Sequence, residues 1–128
     1  MPQQISLTAL VVADYDEAIA FYVQKLGFTL TSDLPQADGK RWVVVTPPGS
    51  ACGLLLTRAV TDAQAARIGD QTGGRVGLFL STDDFARDHA AMTAAGVAFL
   101  EAPRQEPYAT VAVFQDLYGN RWDLLQPA

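Results

Sequence analysis

The chain has 128 residues, 49% of them hydrophobic and 18% charged, with a formal net charge of −5. That is one domain's worth of chain, able to bury roughly two-thirds of its unfolded surface. The acidic balance lacks any Lys/Arg cluster, which argues against nucleic acid or an anionic membrane as partner. The longest apolar runs are strand-length, too short to span a bilayer. Cys52 is the one cysteine, so no internal disulfide can form, and this fits a reducing compartment. The opening residues, MPQQISLTALVV, lack the basic region and cleavage site of a secretory signal, so a cytoplasmic location is expected.

In chain order, residues 5–13 are nearly continuous in apolar and β-branched side chains and read as a buried strand. Asp14 follows as an N-cap, with Glu17 at capping-box spacing. Tyr15, Ala18, Ile19, Tyr22 and Leu26 then recur at helical spacing, and Gly27 stands where a left-handed C-cap residue is wanted. Residues 28–34 form the next strand. Asp38-Gly39 supplies positive-φ positions for a turn, and RWVVVT (41–46) and CGLLLT (52–57) are two more strands around a Pro47-Pro48-Gly49 turn. The order is βαβββ.

Residues 61–68 read as a short connecting helix, capped by Thr61 with Gln64 and closed by Gly69. Gln71-Thr72-Gly73-Gly74 is a flexible joint. The plan then repeats: a strand over 75–80, a helix over about 84–95, a strand over 97–100, a loop over 101–108, and strands over 110–115 and 121–126. Asp14 and Asp83 lie 69 residues apart, as do Gly27 and Gly96. The reading is a single domain of two modules, 1–58 and 75–128, joined by a connector over 59–74.

Two stretches carry a family resemblance over nearly the whole chain. They are Asp14-x-x-Glu-Ala-x-x-Phe-Tyr-x-x-x-Leu-Gly-Phe and the closing Phe114-x-Asp-x-x-Gly-Asn-Arg-Trp-Asp-Leu. With the doubled βαβββ plan, the chain resembles the vicinal oxygen chelate superfamily, the glyoxalase I, bleomycin-resistance and extradiol-dioxygenase group. The resemblance implies an α+β fold: two βαβββ modules forming a curled mixed sheet around a concave pocket, helices on the outer face, often completed in a homodimer. Metal-dependent members place ligands on the first and last strands of each module. Here those positions fall on Leu7, on Leu54 or Leu55, on Val76 and on Asp123. Three of the four are hydrocarbon, and one carboxylate cannot hold a divalent ion where about three protein ligands are normal. No metal and no cofactor are expected.

Strand alternation puts Asp123 on the face shared by Arg121 and Leu125. Asp123 is a candidate pocket carboxylate, a general base or an acceptor that orients a ligand; the competing role is a structural carboxylate paired with an arginine or with backbone donors. Trp42, Tyr108, Phe114 and Gln115 are candidates to line the pocket, with ordinary core packing favoured for Trp42 and Phe114. Tyr108 follows Pro107 in a loop that could close over a crevice, and Arg104 and Glu106 of the same loop are expected to be solvated. The one histidine, His89, falls on the apolar stripe of its helix and reads as a packing residue; Cys52 reads as a small buried hydrophobe. The resemblance therefore implies a small-molecule binder lacking the usual metal ligands. The alternative is a superfamily lyase, isomerase or dioxygenase working with no metal or a non-standard one.

Overall fold

The computed structural model describes residues 2–128, which fall into two compact units divided between Ile68 and Gly69. In the first unit β1 (Leu7–Val12) leads into α1 (Tyr15–Ala20), and then come β2 (Thr29–Pro35), β3 (Arg41–Thr46) and β4 (Gly53–Arg58). The sheet order is β1-β4-β3-β2, with β1 and β4 parallel and the other pairs antiparallel. Leu10, Val12, Val43, Val45, Leu54 and Leu56 are buried. They alternate toward the face where α1, with buried Tyr15 and Ala18, packs on β3 and β4. Asp38 (φ 61°) and Gly39 (φ 76°) make the turn before β3 with the positive φ expected of them. Arg41 at the start of β3 ties two elements together by pairing with Asp16 at 2.9 Å and Asp33 at 2.8 Å. Its guanidinium also lies 5.2 Å from the centre of the Tyr15 ring. The connecting helix, α2 (Asp62–Ala65), is shorter than expected but keeps the full Thr61–Gln64 capping box.

The second unit repeats the plan with β5 (Val76–Ser81), α3 (Phe85–Ala94), β6 (Ala98–Phe99), β7 (Arg104–Gln105), β8 (Ala109–Gln115) and β9 (Arg121–Pro127). Its sheet order is β5-β9-β8-β6, with β7 also pairing β8. The β5–β9 pair is parallel and the rest antiparallel. Phe114, Trp122, Leu124, Ala112, Phe85 and Met92 make the core. His89 stacks on Phe85 at 5.4 Å and meets Phe99 at 4.2 Å, the packing role its position on the helix implied.

The α+β class with mixed sheets holds, the strands forming two sheets of four and five strands. Two expectations need correcting. The cap of α3 is Asp84, whose Oδ1 accepts the Arg87 N–H at 3.0 Å, while Asp83 turns outward to pair with Arg87. The repeat is thus offset by 70 residues at the caps (14 to 84) and 69 at the glycines (27 to 96). The extra residue sits in a wide π-type turn, Phe21–Lys25, that continues α1 and has no counterpart in α3. There the Leu26 N–H reaches back five residues to Phe21, and Phe28 reaches back six to Tyr22. Finally, the segment read as the loop 101–108 contains β7, because Arg104 and Gln105 find backbone partners in Val111 and Thr110.

Candidate functional site

Each sheet has one face toward its helix and one away, and every site candidate but one lies on a face turned away or beside it. On β9 the side chains of Trp122 and Leu124 are buried toward α3, so Arg121, Asp123 and Leu125 turn the other way. The ladder sets Asp123 between Val113 of β8 and Phe79 of β5, and pairs Arg121 with Gln115. Asp123 and Arg121 therefore share one face, as the alternation required, and the β8–β9 register adds Gln115 to it. Phe114 belongs to the other face: it is fully buried and stacks on Trp122 with ring centres 5.7 Å apart. It is core. Tyr108 is 60% exposed beside β8, where its carbonyl accepts the Ala128 N–H at 2.9 Å.

Trp42 lies in the first unit, and its expected core role is not what the structure gives. It is 38% exposed, because Val43 and Val45 take the helix-facing positions of β3 and alternation sends Trp42 away from them. The positions corresponding to metal ligands follow the same logic. Leu7 and Leu55 fall on the away face of the first sheet, since Leu7 pairs with Gly53 and Ala9 with Leu55. Val76 pairs with Arg121 on the face of Asp123. Leu54 is buried toward the helix, so of the two only Leu55 lies on the away face. Of the four positions only Asp123 offers a donor. No group of three His, Cys, Asp or Glu that could hold a metal ion occurs among the described residues. A divalent cation does not fit this donor set.

Among the described residues, Asp123 is the polar side chain of this face with a buried atom that lacks a partner. Its Oδ1 is buried without a hydrogen-bond partner among the described residues, and Arg121, the arginine expected to meet it, makes no bond to it. Loss of solvent raises the Asp123 carboxyl above the ordinary carboxylate range; Arg104 opposes this through space, and Glu101 adds to it. Arg104 is near enough to act electrostatically but is committed elsewhere. Its Nε donates to Glu101 Oε2 at 2.9 Å and its Nη1 to Glu106 Oε1 at 2.9 Å. Glu101 in turn accepts the Val113 backbone N–H at 3.0 Å, filling a ladder position that the short β6 leaves open. Arg104 and Glu106, expected to be solvated, are half-buried members of this ion-paired group.

Sequence reading also missed Phe79. It sits in an apolar run that reads as wholly buried, yet it is 63% exposed beside Asp123. The available signal was its odd-numbered place in β5: Leu78 and Leu80 pair with buried Trp122 and Leu124, which leaves Phe79 for the opposite face.

The closing turn holds this face in register. Asp116, 3% exposed, accepts the N–H groups of Tyr118 and Asn120 on Oδ1, both at 2.9 Å, and the Asn120 amide on Oδ2 at 2.9 Å. The result is a rigid link that delivers Arg121, Trp122 and Asp123 at fixed positions opposite β8.

Two βαβββ units with mixed sheets make a glyoxalase-type scaffold, and no three-residue metal-ligand group occurs among its described residues. The profile of the Glyoxalase/Bleomycin resistance protein/Dioxygenase superfamily matches residues 4–124, and the chain belongs to that superfamily. An uncharacterized protein of Shewanella frigidimarina is 59% identical over 128 residues, covering 98% of this chain and 95% of its own. Among solved structures, UcmS2 superposes with a TM-score of 0.84 at 28% identity, covering 98% of both chains. TnmS3, an antibiotic binding protein from Streptomyces sp. CB03234, superposes with a TM-score of 0.80 at 33% identity, covering 99% of this chain and 98% of its own.

Proposed function

We propose that this protein binds a small organic molecule without a metal ion, on the away face of the second sheet around Asp123. The observation that carries the reading is the combination of a buried, unpartnered carboxylate oxygen with hydrocarbon at the other ligand positions. A buried acceptor without a donor is costly unless something supplies one. The likeness to an antibiotic binding protein at 33% identity supports a sequestering role over a catalytic one. Gln115 and Arg121 on the same face, and Tyr108 beside β8, are the polar groups that would orient the guest within the second unit.

The test is a thermal-shift screen of small molecules on protein dialysed against a mild chelator. A guest at 100 times its Kd should stabilise the fold by about 2.7 kcal/mol. The expected outcome is stabilisation that chelation leaves unchanged, with no stoichiometric Zn, Ni, Fe or Mn by elemental analysis. Near-equimolar retained metal would contradict the reading.

The same reading includes a homodimer. Each sheet ends in edge strands, β1 and β2 in the first and β5 and β6 in the second, and exposed edges invite pairing or need covering. A two-fold interface would draw on the backbone edges of residues 5–13 and 75–80, leaving the away-face side chains of β5 to the site. Light scattering at tens of micromolar, on the order of the range where interfaces of moderate affinity are occupied, should give a dimer mass; a monomer there counts against it.

A further inference from the structure

Resting on the site proposed above, we infer that the guest is a flat aromatic cation, anchored on Asp123 and stacked on Phe79, and that Glu101 keeps this subsite open by holding Arg104 away from Asp123. Three observations lead there. Phe79 and Asp123 are paired residues on adjacent parallel strands, whose backbones run about 4.8 Å apart, so the ring and the carboxylate rise from neighbouring positions on one face. The ring is 63% exposed, a large apolar surface beside an acceptor that lacks a donor. A delocalised cation satisfies both, since its charge meets the carboxylate and its plane meets the ring face. The surrounding charge leans to the same sign: the three carboxylates of Asp123, Glu101 and Glu106 outnumber the two guanidiniums of Arg104 and Arg121.

The guanidinium of Arg104 is the natural competitor. Arg104 pairs with Val111 of β8, and Val111 pairs with Leu125, whose next same-face neighbour on β9 is Asp123. Arg104 and Asp123 stand two strands apart, and the long Arg104 side chain already acts on that carboxylate through space. What keeps the two from pairing is the fork of bonds to Glu101, with Nε at 3.0 and 2.9 Å from the two carboxylate oxygens, and the bond to Glu106. Glu101 is itself fixed by the Val113 N–H. Asp123 is thereby left an open acceptor instead of one half of an internal ion pair. Glu101 is a positioning residue; it acts through Arg104.

The probes are N-methylacridinium and the nearly isosteric acridine, which is uncharged at pH 7.5. Fluorescence titration of the intact protein should show the cation binding at least tenfold more tightly. Asp123→Asn should remove that preference. Glu101→Gln can still accept the Val113 N–H but releases Arg104, and it should weaken the cation about tenfold; Glu101→Gln/Arg104→Gln should recover it to within about threefold of wild type. Equal binding of the two dyes, or of neither, overturns the assigned guest class. A double variant as weak as Glu101→Gln overturns the role of Glu101. Neither result touches metal-free binding itself, which the chelator screen tests separately.

Discussion

Asp116→Ala should lower stability by about 3 kcal/mol, the scale for opening several buried hydrogen bonds at once. The Asp116 carboxylate accepts three hydrogen bonds within one five-residue turn, two from backbone N–H groups that no other acceptor replaces. At 3% exposure, water cannot enter to take over without opening the turn. For a chain of this size the loss corresponds to a Tm drop on the order of 10 °C. Asp116→Asn should recover part of it, because a carbonyl oxygen can still accept from Tyr118 or Asn120. Thermal unfolding of the two variants checks the ordering, and a fall below 2 °C for the alanine variant would show that the turn is held by its backbone alone.

Helix ends, turns and strand faces were legible in the sequence because each rests on a local rule. Asp14 with Glu17, Thr61 with Gln64, Gly27, Gly96 and Asp38-Gly39 all do what their spacing and backbone preferences require. The shared face of Asp123, Arg121 and Leu125 followed from period-two alternation, whereas Gln115 joins it through the β8–β9 register. What local rules could not supply was pairing across the sheet. Arg104 and Gln105 form a strand only because β8 offers free partners, and nothing in PRQEPY announces that. The commitment of Arg104 to Glu101 and Glu106 depends on the same register. Trp42 was misplaced for a different reason: its size suggests core, whereas the valines on either side of Val44 already fill the helix-facing positions. The cap of α3 slipped by one residue because a π-type turn lengthens α1 and leaves no mark in composition.

Asp123→Asn should separate stability from binding. Folding raises the Asp123 pKa, mainly by removing solvent. The folded state thus favours the protonated carboxyl; this contribution is present below the unfolded pKa of about 3.9 and is lost as pH rises through the folded value. Above that value the ionised group opposes folding. Asparagine carries no charge at any pH, so the variant should match wild type in acid and equal or exceed it in Tm at neutral pH. A paired, structural carboxylate would give the reverse, a variant that melts lower at neutral pH.

Binding decides the matter. The direct measurement is a calorimetric titration, at pH 7.5 and in chelator, of wild type and Asp123→Asn with the most stabilising compound from the thermal-shift screen. Wild type should bind with one site per chain and no added metal, and the variant should lose about 1–3 kcal/mol, roughly 5- to 150-fold in Kd. Binding that appears only when a divalent metal is restored, or an affinity unchanged by Asp123→Asn, would contradict a metal-free site anchored on that carboxylate.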